Sequence, residues 1–367
     1  MMQPAKPIRV LLADAAGVNR DQVIRLLDGD GRFQVVATAS DGIAAADTTA
    51  RLRPDVVVMN LRLPRLDGIG ATRRIMAETP TPVVIVSTTS AGTPTERAAE
   101  ALQAGAVTVL DKPLSPDHPQ YAQAIRELLT SIRLMAEVKV VRRPASGGRP
   151  HLVLLPAPEP VDKRRPVVLV MAASTGGPQA IQTVLQALGP DLDVPVLIVQ
   201  HMSKGFLLGM VGWLDGTCPQ AVQLAVDGVQ PTGGSVYIAP EEHHLLVTRA
   251  GKLALTQEPP VGGFRPSANT LFESAAQFYG ADAVGAVLTG MGDDGAAGLS
   301  ALRKRGASTI AQDEASAVVY GMPRAAAAVG GAERVLPLDA IGPAVRKLLG
   351  LKSRAGRADA QAEALWS

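Results

Sequence analysis

The 367-residue chain has one cysteine, Cys218, so no internal disulfide can hold it and the fold must rest on buried apolar surface. Aromatic residues make up only 3% of it, too few for platforms that stack bases or sugars. Neither charge sign dominates: 36 Lys and Arg face 34 Asp and Glu, and a net charge of +2 gives no footprint for a nucleic-acid partner. The longest apolar runs, such as Val167–Ala173, are far too short to span a bilayer. The first residues, Met1–Val10, lack the apolar stretch of a signal peptide. Together these absences lead to the expectation of a soluble, cytoplasmic protein with no direct membrane insertion.

What is present is apolar material. Hydrophobic residues reach 47% and charged residues 19%, enough for proper cores and too apolar for disorder. The length exceeds what one core normally serves, so two domains are expected. In residues 7–137, apolar runs at Ile8–Ala13, Phe33–Ala37, Asp55–Met59, Pro82–Val86 and Ala106–Leu110 alternate with amphipathic stretches. That alternation predicts βα units on a parallel sheet covered on both faces. Prolines and glycines crowd residues 138–165, which read as a linker. Residues 166–351 repeat the alternation, with buried-strand runs at Val167–Ala172, Val196–Gln200 and Ala283–Leu288. A hairpin-like stretch is expected across Ser235–Ile238, Leu245–Val247 and Leu253–Thr256, and residues 352–367 read as a C-terminal tail.

Three polar residues stand where buried strands of the second domain should end. Ser174 precedes Thr175–Gly–Gly–Pro178, His201 follows Pro195–Gln200, and Asp294 lies in Leu288–Thr–Gly–Met–Gly–Asp–Asp–Gly295. Ligands of open α/β sheets bind at the carboxyl ends of strands, so residues far apart in sequence can converge there. A serine hydroxyl needs a base, an imidazole can serve near neutral pH, and a carboxylate can orient the imidazole. Pro178 suits the start of a helix whose positive dipole end would face Ser174. Glycines around Met291 could leave backbone N–H groups for an oxyanion. Taken alone, these residues leave other readings open. The Ser174 turn could be a phosphate or cofactor cradle, His201 a core or surface residue, and the Gly290–Gly295 loop a plain turn or a cation site. No G-x-G-x-x-G or Walker pattern accompanies them, which weakens a nucleotide- or flavin-binding reading.

The second domain resembles the catalytic domain of chemotaxis protein-glutamate methylesterases along nearly its whole length. The strings that carry the resemblance are Ala173–Ser–Thr–Gly–Gly177, Val199–Gln–His–Met202 with Gly205–Phe206, Tyr237–Ile–Ala–Pro240 with His244, Arg265–Pro–Ser267, Leu288–Gly298, Ala311–Gln–Asp–Glu–Ala315 and Val319–Tyr–Gly–Met–Pro323. The resemblance implies Ser174 as nucleophile, His201 as base and Asp294, rather than Asp293, as the carboxylate partner. It also implies the Met291 N–H as an oxyanion donor, with Thr175 close to the histidine. The implied reaction releases methanol from methylated glutamates, and deamidates glutamines, on the cytoplasmic domain of methyl-accepting chemoreceptors. A chemosensory histidine kinase is a second implied partner, and no cofactor or metal is needed. Ser203 and Lys204 depart from the prolines frequent after the His–Met pair, and Asn269 stands where an acid is common. Arg265 reads equally as a contact for an acidic receptor surface or as a structural donor.

The first domain resembles a response-regulator receiver through Pro54–Gly68, with Ser87 at the hydroxyl switch position and Lys112 in Asp111–Lys–Pro113. The phosphoacceptor position holds Asn60, and an amide cannot form an acyl phosphate. The acidic pair after the first strand is reduced to Asp14–Ala15, and Val109 replaces the usual aromatic switch residue. Mg²⁺ requires anionic oxygens, so these losses predict a pseudoreceiver. The expected architecture is α/β: a flavodoxin-like receiver domain followed by a doubly wound parallel-sheet esterase domain with a small antiparallel hairpin. The competing function is a scaffold or binding protein of a chemosensory array in which catalysis is dispensable.

Overall fold

The computed structural model describes residues 6–87, 94–112, 121–136, 153–154 and 165–351. The expected tail, 352–367, and most of the expected linker lie outside them. The chain divides after Ser146 into two compact units.

The N-terminal unit runs β1 (Ile8–Ala13), α1 (Gly17–Asp30), β2 (Phe33–Ala39), α2 (Gly42–Leu52), β3 (Val56–Met59), α3 (Gly68–Glu78), β4 (Val83–Ser87), α4 (Pro94–Gln103), β5 (Thr108–Asp111) and α5 (Tyr121–Ala136). Its five strands are all parallel, in the order β2-β1-β3-β4-β5. Every residue of β3 is buried, as strands covered on both faces require. Asp41 and Asp67 start α2 and α3 by accepting from the Ala44 and Gly70 N–H groups, each at 2.9 Å. Asp14, Asn60 and Lys112 therefore all follow carboxyl ends of strands, on one edge of the sheet.

The C-terminal unit contains β6 (Val153–Leu154), β7 (Val168–Ala173), α6 (Gly177–Leu188), β8 (Val196–Gln200), α7 (Leu207–Thr217), β9 (Ala221–Leu224), β10 (Ser235–Ile238), β11 (His244–Val247), β12 (Leu253–Thr256), α8 (Ala268–Phe278), β13 (Ala283–Val287), α9 (Ala296–Lys304), β14 (Ser308–Gln312), α10 (Met322–Ala328), β15 (Arg334–Leu336) and α11 (Leu338–Leu348). Its eight-stranded sheet has the order β6-β15-β14-β13-β7-β8-β10-β9. All neighbours are parallel except β6, which pairs antiparallel with β15. Val153–Leu154, within the span expected as a linker, is thus an edge strand of this sheet.

The expected hairpin needs correction. Ser235–Ile238 is not part of it: β10 lies parallel between β8 and β9, and only β11 and β12 form the antiparallel pair. Val236, Tyr237 and Ile238 are all buried there, as a strand covered on both faces requires.

From β7 the chain builds outward to β8 and β10 on one side, then returns to β13, β14 and β15 on the other. The strand order reverses between β7 and β13, and a crevice at their carboxyl ends follows from that topology. Phe272 of α8 and Leu299 and Leu302 of α9 are fully buried against this half of the sheet. No described helix is long and apolar enough to cross a membrane.

Candidate active site

Ser174, His201 and Asp294 follow β7, β8 and β13, adjacent strands at the switch point. Strand pairing sets Ala173 opposite Gln200, and the His201 N–H donates to the Ala173 carbonyl at 2.9 Å, so serine and histidine leave the sheet side by side. Gln200 fastens them together. Its buried amide donates to the Ser174 carbonyl at 2.8 Å and to the His201 carbonyl at 2.7 Å. A Cβ on Gly177 would come within 2.0 Å of the Gln200 Oε1, which fixes glycine at the start of α6. The preceding Gly176 takes a left-handed φ of 74°, turning the chain sharply from strand to helix.

His201 Nε2 lies 3.0 Å from Asp294 Oδ2, a contact of hydrogen-bond length that is out of line with the ring N–H direction. Both side chains are nearly closed to solvent, 9% and 3% exposed respectively. Asp294 is deeply engaged. Ser267 Oγ donates to its Oδ1 at 2.8 Å, the Ala268 N–H to Oδ2 at 2.6 Å and the Asn269 N–H to Oδ1 at 3.1 Å. Burial alone would raise its pKa, but His201 and the backbone N–H groups outweigh it and hold the carboxyl below its ordinary range. Asp293, the neighbouring acid, is exposed.

The opposite ring nitrogen, Nδ1 of His201, is buried and has no partner among the described residues. No hydrogen bond joins it to the Ser174 hydroxyl, so the structure brings His201 and Asp294 within 3.0 Å of one another and leaves Ser174 unbonded to either. Thr175 makes no hydrogen bond to His201 either; its carbonyl accepts from the Thr289 hydroxyl at 2.9 Å, which ties the serine turn to the loop after β13. In that loop the Met291 N–H has no acceptor among the described residues, and Gly290 packs so closely that a Cβ there would meet Ser174 Cβ at 2.8 Å.

Two contacts in this region carry no local sequence signal. The Phe264 ring stacks on the His201 imidazole, centroids 4.2 Å apart and planes inclined by 8°. Ser267, with no exposed surface, binds the carboxylate. The Gly262–Gly263 pair announces a turn but not where Phe264 points. Arg265 is a structural donor here: it holds the Gln257 and Glu258 carbonyls and the Glu242 carboxylate. Lys204 meets the same carboxylate at 2.8 Å. Asn269 accepts the Gly295 and Gly298 N–H groups, at 3.1 and 2.8 Å, and so caps α9.

In the N-terminal unit, Asp14 accepts on both carboxylate oxygens from its own chain. Asn60 Nδ2 and the Ala16 N–H donate to Oδ1, each at 3.0 Å, and Lys112 Nζ donates to Oδ2 at 2.7 Å. Burial raises the Asp14 pKa, but Lys112 and Asn60 overcome it and the net shift is downward. Val109 is buried in β5, and Ser87 closes β4. One engaged carboxylate beside an amide and a lysine is a poor set of donors for Mg²⁺, so these residues do not fit that ion. Among the described residues no cluster of metal-ligating side chains occurs.

A parallel α/β sheet whose switch point carries a serine, a histidine and a buried aspartate defines a protein of the serine-hydrolase class. A family model described as CheB methylesterase matches residues 169–345, and one described as response regulator receiver domain matches residues 10–126. The chain is 43% identical over 343 residues to a protein-glutamate methylesterase/protein-glutamine glutaminase of Geobacter metallireducens, covering 93% of this chain and 99% of that one. It is 42% identical over 346 residues to the corresponding protein of Nitrosospira multiformis, covering 93% and 97%. The chain belongs to the protein-glutamate methylesterase/protein-glutamine glutaminase family. A crystal structure of the Thermotoga maritima CheB methylesterase catalytic domain is 32% identical with a TM-score of 0.48, covering 50% of this chain and 98% of that one.

Proposed function

We propose that this chain hydrolyses glutamate methyl esters, and deamidates glutamines, on the cytoplasmic signalling region of methyl-accepting chemoreceptors, with Ser174 as nucleophile, His201 as base and Asp294 as its orienting carboxylate. The observation that carries the reading is the buried approach of His201 to Asp294 beside Ser174 at the strand ends. The names of relatives matched over nine-tenths of the chain support the substrate class.

With Asp294 facing Nε2, the imidazole carries its proton there and leaves the Nδ1 lone pair free to act as base. Ser174 Oγ attacks the ester carbonyl carbon as Nδ1 takes its proton. Asp294, ionised at neutral pH, stabilises the imidazolium across 3.0 Å. The Met291 N–H, which has no acceptor among the described residues, and the positive end of α6, which begins three residues after Ser174, supply the donors for the developing oxyanion. Nδ1 then protonates the departing methanol, and a water molecule, deprotonated by the same nitrogen, releases glutamate from the acyl-serine. The open Ser174–His201 contact closes when substrate orders the hydroxyl, since catalytic hydrogen bonds of free enzymes often tighten only on binding. All three groups are protein side chains, and the work takes place in the cytoplasm, where the receptor signalling helices lie.

Ser174→Ala separates this reading from a scaffold. Methanol release from methylated receptor is expected to fall by ~10⁴- to 10⁶-fold. Release at the wild-type rate would leave the scaffold as the surviving function.

The N-terminal unit, in the same proposal, does not gate the esterase through phosphorylation of its own receiver. Asn60 spends its amide on Asp14, and Lys112 is held by the same carboxylate. A chemosensory kinase therefore reaches this protein through protein contact. Incubation with acetyl phosphate and Mg²⁺ should add no phosphoryl mass and leave the esterase rate unchanged. A phosphorylated peptide from residues 54–68, or strong activation, contradicts it.

A further inference from the structure

We propose that Phe264 is a positioning residue for catalysis: its ring holds the plane of the His201 imidazole and stabilises that ring when it becomes positive. The inference rests on His201 being the base. Asp294 meets the imidazole at one atom, Nε2, which fixes a point and leaves the plane free to turn about the broad Cβ–ring torsion. A face-to-face contact at 4.2 Å and 8° removes that freedom, because any tilt drives one edge of the imidazole into the Phe264 ring.

The way Phe264 is held supports a dedicated contact. Val261 and Phe264 exchange both backbone hydrogen bonds, at 3.1 and 3.0 Å, across Gly262 and Gly263. Both glycines take positive φ, 60° and 88°, the requirement of the tightest hairpin turn. Nothing lies within 4 Å of a Cβ added to either, so glycine is needed there for backbone conformation alone. Three residues beyond Phe264 the same strand of chain reaches Asp294 through Ser267, Ala268 and Asn269. Residues 261–269 thus grip both members of the pair, one by a ring face and one by donors. The edge of the Phe264 ring also comes near Gly292, where an added Cβ would lie 4.0 Å from Phe264 Cζ.

The chemistry follows from the quadrupole of the ring. Its negative face attracts a cation lying over it, so the stack is stronger once Nδ1 has taken the serine proton. That gain is absent in the resting enzyme and present at the transition state, which is where it accelerates the reaction.

Phe264→Leu keeps an apolar cover on His201 and removes the π face; Phe264→Tyr keeps both. On the full-length protein, Phe264→Leu is expected to lower kcat for methanol release by ~3- to 30-fold with KM within about twofold, and Phe264→Tyr to recover most of the rate. The His201 ring protons, followed by NMR, should carry an upfield ring-current displacement in the wild type and in Phe264→Tyr that is lost in Phe264→Leu. Wild-type kcat in Phe264→Leu, or a loss confined to KM, overturns the proposal. So do unmoved His201 signals. Ser174→Ala and His201→Ala are measured in the same series: if they retain activity, the hydrolase reading fails, whereas the NMR displacement still reports whether the stack exists.

Discussion

At the scale of single residues, Asp294 is held by the Ser267 hydroxyl as well as by its approach to His201. Ser267 is fully buried, and its removal leaves one carboxylate oxygen short of a donor. Ser267→Ala is expected to cost about 1–3 kcal/mol in urea unfolding. It should also lower kcat, since the orientation of His201 is set through that carboxylate. Asp294 has its folded pKa depressed, so its contribution to stability is present above the unfolded carboxylate pKa and lost as pH falls through the folded value. Urea midpoints of Asp294→Asn should therefore decline less steeply below about pH 4 than those of the wild type. Cys218 titrates the other way. Burial pushes its thiol up to about 11, and the Asp215 carboxylate adds to the rise against the Thr217 contact. The thiol stays protonated near neutrality, so iodoacetamide labelling of the native protein at neutral pH should be far slower than that of the urea-unfolded chain.

At the scale of elements, the site is built from the connections between strands and helices. The turn after β7 and the loop after β13 touch through Gly290 and Ser174. In Gly290→Ala the new methyl would sit 2.3 Å from Met322 Sδ and 2.8 Å from Ser174 Cβ, so the serine must shift. A displacement of about 1 Å at a nucleophile costs on the order of 10²-fold, and kcat of this variant should fall by about that much. Single-turnover rates on methylated receptor check it. The helix α9 borrows its cap from α8: Asn269 supplies the acceptor for the Gly295 and Gly298 N–H groups that α9 cannot satisfy itself. Asn269→Ala should lower stability by about 1 kcal/mol, read as a shift in the urea midpoint. The periodicity of the sequence located these strands and helices because burial on both faces is a local property of four to six residues. It could not tell that Ser235–Ile238 joins the parallel sheet, since a short apolar run looks the same in a hairpin.

At the scale of the molecule, β6 is where the expected linker becomes structure. Val153 and Leu154 pair with Val335 and Arg334 and cover the edge that β15 would otherwise present. A C-terminal fragment beginning at Gly147 should therefore melt higher and aggregate less than one beginning at Pro166. Thermal unfolding with light scattering distinguishes the two. Both retain Ser174, His201 and Asp294, so both should hydrolyse ester. The N-terminal unit has receiver architecture, and at its strand ends Lys112, Asn60 and the Ala16 N–H all donate to Asp14.

The sequence by itself determined the parallel sheets, the placement of Ser174, His201 and Asp294 at strand ends, and the amide of Asn60 after β3. Each follows from residues next to one another in the chain: apolar runs, the glycines after them, and an amide in place of a carboxylate. Only the tertiary structure decided that Asp294 is buried while Asp293 is exposed. It also decided that the imidazole presents Nε2 to the acid, that Ser267 serves the carboxylate, and that Phe264 lies flat on the histidine. Those are contacts between segments tens of residues apart, fixed by how helices and loops pack over a sheet edge, and the pattern within any one segment does not encode its distant neighbour.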